Sequence, residues 1–378
     1  MIPSPPASAV PRIALTGGGT AGHVFPLLAV ASAYQAARPD TACVFIGAEG
    51  DPTAQLAAAA GLAVRTVPAA PLFGVGPRGK LRALSRLLRG RREARRLLAA
   101  EAIQLVIGSG GYVSAAPLLA AHRLGLVTAL IEPNAAPGLT NRLLGRLVDR
   151  VYLGTADALP QFSARRALVT GVPLRAGLTR TRATGDGGAR VLVTGGTQGS
   201  PFLNAEAPEL LAAVRRALPS LRIWHQAGEL HAAAVAAAYR RADLPARVDG
   251  FIADIGEAYT WADVVVSAGG AITLAELAAV GVPALVVPRA SVARDHQADN
   301  ARAFAEHVGV WASERHWDRQ AQAAWLTARL REAVARPTTP SPPPAAAAII
   351  VEDCDRLLAA ARAHGRRPLS TNGESRPR

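Results

Sequence analysis

The segment Arg12-Ile13-Ala14-Leu15-Thr16-Gly17-Gly18-Gly19-Thr20 returns, slightly shortened, as Arg190-Val191-Leu192-Val193-Thr194-Gly195-Gly196-Thr197. Each copy reads as a buried strand that runs into a glycine turn. A helix-like stretch and further strand and helix alternation follow both, which is the pattern of a doubly wound parallel sheet. A chain that carries this unit twice is expected to be α/β, with two Rossmann-like domains in tandem. The length of 378 residues suits two cores better than one. With half the residues apolar and only 4% aromatic, small-residue helices on aliphatic strands are favoured over a β-sandwich.

The expected boundaries follow composition. Residues 1–10, with Pro3, Pro5 and Pro6, form a flexible tail, and 11–175 form a first domain. Around Thr181 to Ala189, Gly185, Gly187 and Gly188 interrupt any apolar periodicity and place a hinge, with an earlier edge near Pro173. Residues 176–344 form the second domain, ending in the proline-rich Pro337 to Pro344. An amphipathic run, 345–365, is a terminal helix open to packing on either domain, and 366–378 reads as a disordered tail.

Two cysteines, Cys43 and Cys354, give neither a disulfide framework nor a CxxC metal site, so a reducing cytoplasm is the natural setting. The N-terminal stretch lacks a signal peptide's basic start and apolar core, and no segment reaches about 18 unbroken apolar residues. A soluble or peripheral protein is expected. The net charge of +14 points to anionic partners: nucleic acid, a membrane face or phosphorylated small molecules.

Gly17, Gly19 and Gly22 satisfy the GxGxxG pattern between a strand and a helix, and Glu49 after the next strand keeps a nicotinamide-binding oxidoreductase open. His23 falls on the first turn of that helix, where the dipole disfavours its protonated form. A neutral imidazole there is either a general base for an acceptor hydroxyl or a packing group. The second turn, Gly195 to Ser200, offers backbone amides and two hydroxyls to a diphosphate, or uses its glycines for geometry alone. A third glycine turn, Ala268-Gly269-Gly270-Ala271, opens a helix on which Glu276 would meet ribose hydroxyls or solvent. Asp295-His296-Gln297 with Asn300 either holds sugar hydroxyls or caps a helix. Asp353-Cys354-Asp355 has DxD spacing but reads as a helix face, so neither a metal nor another cofactor is expected.

Arg78, Lys80, Arg82, Arg86, Arg89, Arg91, Arg92, Arg95 and Arg96 are opposed only by Glu93, with Leu81, Leu84 and Leu88 at helical spacing and Leu72, Phe73 and Val75 just before. This is either a seat on an anionic bilayer or a surface helix docked through its leucines. Without interleaved aromatics it is not a nucleic-acid surface.

Together Gly17 to Pro26 (GGGTAGHVFP), Gly108 to Ser114 (GSGGYVS), Gly138 to Arg142 (GLTNR), Gly195 to Gly199 (GGTQG), Ile223 to Gly228 (IWHQAG) and Tyr259 to Val266 (YTWADVVV) resemble the MurG family of glycosyltransferases. The resemblance runs from about Arg12 to about Asn300. It implies the GT-B fold, two such domains facing across a cleft, and metal-independent, inverting transfer of N-acetylglucosamine from UDP-GlcNAc to a lipid-linked muramyl-peptide. It also implies a peripheral place on the cytoplasmic face of the bacterial plasma membrane.

By that resemblance His23 is the base. Thr20, Ala21, Gly22, Asn134, Arg175, Thr197, Gln198, Gly199, Phe251, Ile252, Gly270, Ala271, Glu276, His296 and Gln297 fall on the donor side, with Phe251 and Ile252 at the uracil. Leu72, Phe73, Val75, Arg78, Lys80, Arg82, Tyr112 and Glu132 fall on the acceptor or membrane side. The chain departs from the family pattern at Ile131, Pro133, Val172 and Ala268, and more in the first domain than in the second. A related transferase with another glycolipid or soluble acceptor, and a non-catalytic UDP-sugar sensor, are the remaining alternatives.

Overall fold

The computed structural model describes residues 11–71, 75–175, 177–178, 188–290, 296–335 and 345–365. The expected tails, most of the hinge stretch, Leu72, Phe73 and Asp295 lie outside the described residues. The chain divides into two compact units. The first comprises 1–133, 137–175 and 345–378, and the second comprises 134–136 and 176–344.

In the first unit, strands β1 (Arg12–Thr16), β2 (Ala42–Ala48), β3 (Ala63–Val67), β4 (Leu105–Gly108), β5 (Val127–Glu132), β6 (Arg150–Leu153) and β7 (Ala167–Val169) form one sheet in the order 3-2-1-4-5-6-7. Every pairing in it is parallel. Helices α1 (Ala21–Ala37), α2 (Ala54–Ala59), α3 (Pro77–Ala100), α4 (Ala115–Leu124) and α5 (Leu139–Leu144) connect them. Parallel strands need crossovers, and the crossing helices cover both faces, so the inner strands are apolar throughout. All residues of β4 and β5 are buried, whereas the edge strand β3 exposes Ala63, Arg65 and Thr66.

The second unit repeats the scheme. Strands β8 (Arg190–Thr194), β9 (Arg222–Gln226), β10 (Ala246–Asp249), β11 (Val264–Ser267), β12 (Ala284–Val286) and β13 (Gly309–Trp311) lie parallel in the order 10-9-8-11-12-13. Its helices are α6 (Pro201–Ala217), α7 (Ala232–Arg241), α8 (Ile255–Trp261), α9 (Ala271–Val280), α10 (His296–Val308) and α11 (Arg319–Ala335). In both sheets the order reverses beside the first strand, between β1 and β4 and between β8 and β11. A crevice opens at such a reversal beyond the carboxyl ends of the strands.

The last helix, α12 (Ala346–Ala363), belongs to the first unit. It buries Ile350, Val351, Cys354 and Leu358 in the cluster that holds Val30, Ala31 and Tyr34 of α1. Sandwiched between sheet and α12, α1 is apolar over most of its surface. The DxD pair is spent on this docking: Asp353 bonds Arg150 at 2.7 Å and the Tyr152 hydroxyl at 3.1 Å, and Asp355 pairs with Arg38 at 2.6 Å. Asp353→Ala would strand a part-buried guanidinium and a buried phenol. We expect a loss of about 2–4 kcal/mol, read as a lower urea midpoint for the first unit.

The second core contains a buried histidine. His225 lies between the Tyr239 hydroxyl at 3.0 Å and Asn204 Oδ1 at 3.1 Å, and burial pushes its pKa down to about 3. As pH falls below about 6.5 the unfolded chain takes up a proton here that the folded unit refuses. Stability present above that pH is lost by about 1.4 kcal/mol per unit until the folded pKa is reached. Urea midpoints between pH 7 and 5 should fall more steeply for the wild type than for His225→Gln.

Candidate functional site

At the first reversal, β1 ends in Gly17-Gly18-Gly19-Thr20 and β4 ends in Ser109-Gly110-Gly111-Tyr112. The Ser109 amide donates to the Thr16 carbonyl at 3.1 Å, locking the two loops together. His23, on the first turn of α1, is half-buried, and its Nδ1 lies 2.9 Å from the Ser109 carbonyl oxygen. A carbonyl only accepts, so Nδ1 carries the hydrogen and the neutral ring presents its lone pair at Nε2. Burial lowers the pKa below 6.5, partly opposed by the Ser109 bond, which favours the charged form. The ring is thus neutral near pH 7 and oriented to take a proton at Nε2. Gly111 borders that edge: a Cβ there would stand 3.6 Å from Nε2.

The acidic residue that reaches this glycine turn is Asp51, not Glu49. Its Oδ2 accepts the Gly19 amide at 2.6 Å, while Oδ1 accepts the Thr53 amide at 2.9 Å and hydroxyl at 2.8 Å. A carboxylate therefore occupies the amide that a dinucleotide's pyrophosphate would need, which counts against the oxidoreductase alternative. Thr20 is exposed and its hydroxyl does not cap α1; Ala21 is buried and Gly22 half-buried. Tyr112 is half-buried beside Gly19, its hydroxyl pKa raised by burial and by the Asp51 charge. Arg175 lies with its guanidinium 4.1 Å over the Phe25 ring, within the first unit.

Glu132 is 1% exposed and accepts from Asn141 Nδ2 at 2.8 Å, Asn141 itself lying against Gly110. On α3, Arg78, Lys80 and Arg82 are exposed, and Val75, just before the helix, is half-buried against Gly79. Leu81, Leu84 and Leu88 are 72%, 47% and 46% exposed. The helix docks through Ala83, Gly90, Ala94 and Leu98 instead, with Gly90 pressed on the Pro68 carbonyl. The leucine stripe therefore faces outward.

At the second reversal, Gly195 to Gly199 forms a tight turn closed by the Gly199 amide on the Gly196 carbonyl at 3.1 Å. Thr194 Oγ1 accepts the Gly196 amide at 3.2 Å. The amides of Thr197 and Gln198 have no protein partner among the described residues; Thr197 is half-buried and Gln198 exposed. Only one of the two hydroxyls expected here is available: Ser200 is 3% exposed and caps α6 through the Leu203 amide. Pro201 at the start of α6 also lacks an N–H, so the turn, more than the helix end, supplies donors. Gly199 has φ +74°, and any Cβ would be driven into the Ala227 carbonyl. Gly199→Ala should therefore distort the turn and lower the urea midpoint of the second unit.

The third turn lies beside it, since the Ala268 amide bonds the Thr194 carbonyl at 3.1 Å. Gly270 precedes α9 as its N-cap without a side-chain hydrogen bond, leaving the first-turn amides and the dipole's positive end uncapped by a side chain. Ala271 is buried, and Glu276, 4% exposed, accepts from the Tyr259 hydroxyl at 3.0 Å. Phe251 is 40% exposed and Ile252 buried. Gln226 links the loops: its Nε2 donates to the Gly196 carbonyl at 2.8 Å and its Oε1 accepts the Ile252 amide at 3.3 Å. Gln297 Oε1 accepts the Gly269 amide at 3.2 Å and the Arg289 amide at 2.8 Å. His296 Nδ1 is buried without a partner among the described residues. Asn134, with Ala135 and Ala136, groups with this unit.

Sequence reading missed Ser109, Asp51 and Gln226 as site-building residues. Each reaches its partner across the sheet order, and only the strand pairing brings them together.

Two parallel-sheet units, each with a glycine turn at its reversal, are the architecture of the GT-B fold. Residues 13–153 match the glycosyltransferase family 28 N-terminal domain, and residues 190–354 match the family's C-terminal domain. The chain belongs to glycosyltransferase family 28. It is 37% identical over 317 residues to a Pelobacter propionicus protein, covering 78% of this chain and 84% of the relative. It is 38% identical over 309 residues to one from Nitratidesulfovibrio vulgaris, covering 78% and 80%. Both relatives are named UDP-N-acetylglucosamine–N-acetylmuramyl-(pentapeptide) pyrophosphoryl-undecaprenol N-acetylglucosamine transferase. The crystal structure of Acinetobacter baumannii MurG superimposes with a TM-score of 0.67 at 26% identity, covering 92% of this chain and 99% of that one.

Proposed function

We propose that this chain transfers N-acetylglucosamine from UDP-GlcNAc to the muramyl sugar of an undecaprenyl-pyrophosphoryl-linked MurNAc-peptide, forming the β-1,4 linkage of peptidoglycan's lipid II. The observation that carries the reading is the match of both family domains together with relatives of that name over most of the chain.

The acceptor hydroxyl attacks the anomeric carbon as His23 Nε2 takes its proton. The new C–O bond forms while the bond to the UDP β-phosphate oxygen breaks, inverting the carbon. The Nδ1 bond to Ser109 supports this role by fixing the tautomer and favouring the imidazolium that forms. Negative charge gathers on the departing UDP, and the amides of Thr197 and Gln198 and the uncapped start of α9 are suited to receive it. Phe251 and Ile252 face the uracil and Glu276 the ribose.

The outward leucine stripe of α3, flanked by Arg78, Lys80 and Arg82, seats the first unit on an anionic bilayer, where apolar burial and charge attraction add. No helix among the described residues is long and apolar enough to cross a membrane.

The test is label transfer from UDP-GlcNAc to a short-chain lipid-linked muramyl-peptide, with and without EDTA. EDTA-resistant labelling of the lipid is expected. Tight UDP binding without labelling would direct the search to another acceptor, and label passing to a soluble aglycone alone would overturn the reading.

A further inference from the structure

Within the first unit, a cavity of about 170 Å³ lies between α3, the loop after β3 and the starts of α4 and α5. Small side chains leave it open: Ala69 and Ala70 on the loop, Ala115 and Ala116 on α4. Its frame is packed tightly. Gly90 of α3 is pressed on the Pro68 carbonyl and lies beside Ala116, and Arg86 Nη1 donates to the Ala69 carbonyl at 3.3 Å. Tyr112 and Thr140 are the polar side chains among those that line the space; the others are apolar.

The cavity's neighbours say what could fill it. Tyr112 is one wall, and its ring also lies beside Gly19 of the first glycine turn, while the adjoining Gly111 borders His23 Nε2. Leu87 is another wall, one helical turn from Leu84 and next to Leu88, both of the outward stripe on α3. The space therefore joins the polar turn that carries the base to the apolar stripe suited to a bilayer.

A lipid-linked acceptor presents a sugar, a diphosphate and a polyprenyl chain in that order. With the sugar hydroxyl at Nε2 and the far end of the chain in a bilayer beneath α3, the first part of the chain falls beside Tyr112. An apolar cavity of about 150 Å³ takes a molecule of benzene's size, so this one suits a branched prenyl unit. Arg86, held at the Ala69 carbonyl, brings positive charge beside the cavity and complements a phosphate on that unit.

We propose that this cavity receives the prenyl unit joined to the acceptor's diphosphate, so that the enzyme selects its acceptor by the start of the lipid as well as by the sugar. This rests on the acceptor reading given above.

The test compares two muramyl-peptide diphosphates as acceptors for the full chain, one carrying a neryl group and one a methyl group, below micelle formation and without vesicles. The wild type should show a kcat/KM about tenfold or more higher for the neryl acceptor, the scale of one filled apolar subsite. Ala70→Leu, which fills the cavity, and Leu87→Asn, which makes its wall polar, should each cut that preference to about threefold or less, through the KM of the neryl acceptor. Thermal melts and the UDP Kd report folding and donor binding, and binding to phosphatidylglycerol vesicles is measured alongside. A wild type indifferent to the chain, or folded variants that keep the full preference, would overturn the proposal while leaving the transferase reading intact. Equal losses on both acceptors would count against it as well, since a purely structural cavity predicts them. A kept preference with weaker vesicle binding would give the cavity to a bilayer acyl chain instead. Transfer to neither acceptor would remove the reading on which the proposal stands.

Discussion

His23→Ala should lower kcat for transfer by about 10²–10⁴-fold, the usual contribution of a positioned general base, while UDP affinity stays within about twofold. The separation follows from where the groups lie: His23 is in the first unit, and the turns suited to UDP are in the second. The pH profile carries the same claim. A base acts from the neutral ring, and burial lowers the His23 pKa below 6.5. The rate should hold constant as pH falls to about 6.5 and decline only below it, and the alanine variant should lose this acid limb. Parallel loss of turnover and UDP binding would count against the base role, as would a limb centred above pH 6.5.

Glu276→Ala is the second large effect. The carboxylate is buried at 4% exposure and bonded by Tyr259, so its position is fixed before any ligand arrives. Two charge-assisted hydrogen bonds to ribose hydroxyls are worth about 2–4 kcal/mol together, or roughly a hundredfold or more in UDP affinity. Calorimetry should show that loss. The wild type should also discriminate against 2′-deoxy-UDP, and the variant should not. Tyr259→Phe keeps the carboxylate but frees its orientation, and a loss of only a few-fold is expected. A Glu276→Ala chain that still rejects the deoxy ligand would place the ribose elsewhere.

The fold was legible because the repeated strand-and-glycine segments mark the first strand of each sheet, and because inner strands such as β5 are apolar at every position, as two covered faces require. The family, too, could be read from short segments in fixed order. Partners that meet through strand pairing could not. Ser109 lies 86 residues from His23 and Asp51 lies 32 from Gly19, and no local pattern relates them. The Asn300 side chain bonds Asn134 across 166 residues. A hydroxyl misled for a different reason: Ser200 has the right chemistry in the right segment but is spent on a helix cap. On α3 the leucine spacing gave the helix but not its inner face, because close packing there is done by Ala83, Gly90 and Ala94. The donor-side roles of Phe251, Ile252 and Glu276 rest on the family resemblance, to which the structure adds exposure, burial and a hydrogen-bond partner.

Inverting transfer requires a single displacement in which the acceptor hydroxyl takes the sugar from UDP. Proton NMR of the running reaction, with UDP-GlcNAc and a short-chain lipid-linked muramyl-peptide, follows it directly. The donor's α-anomeric signal should decay at the rate at which a β-linked glycoside and UDP appear, with no free N-acetylglucosamine. An α-linked product, or decay of the donor to free sugar with no glycoside, would contradict it.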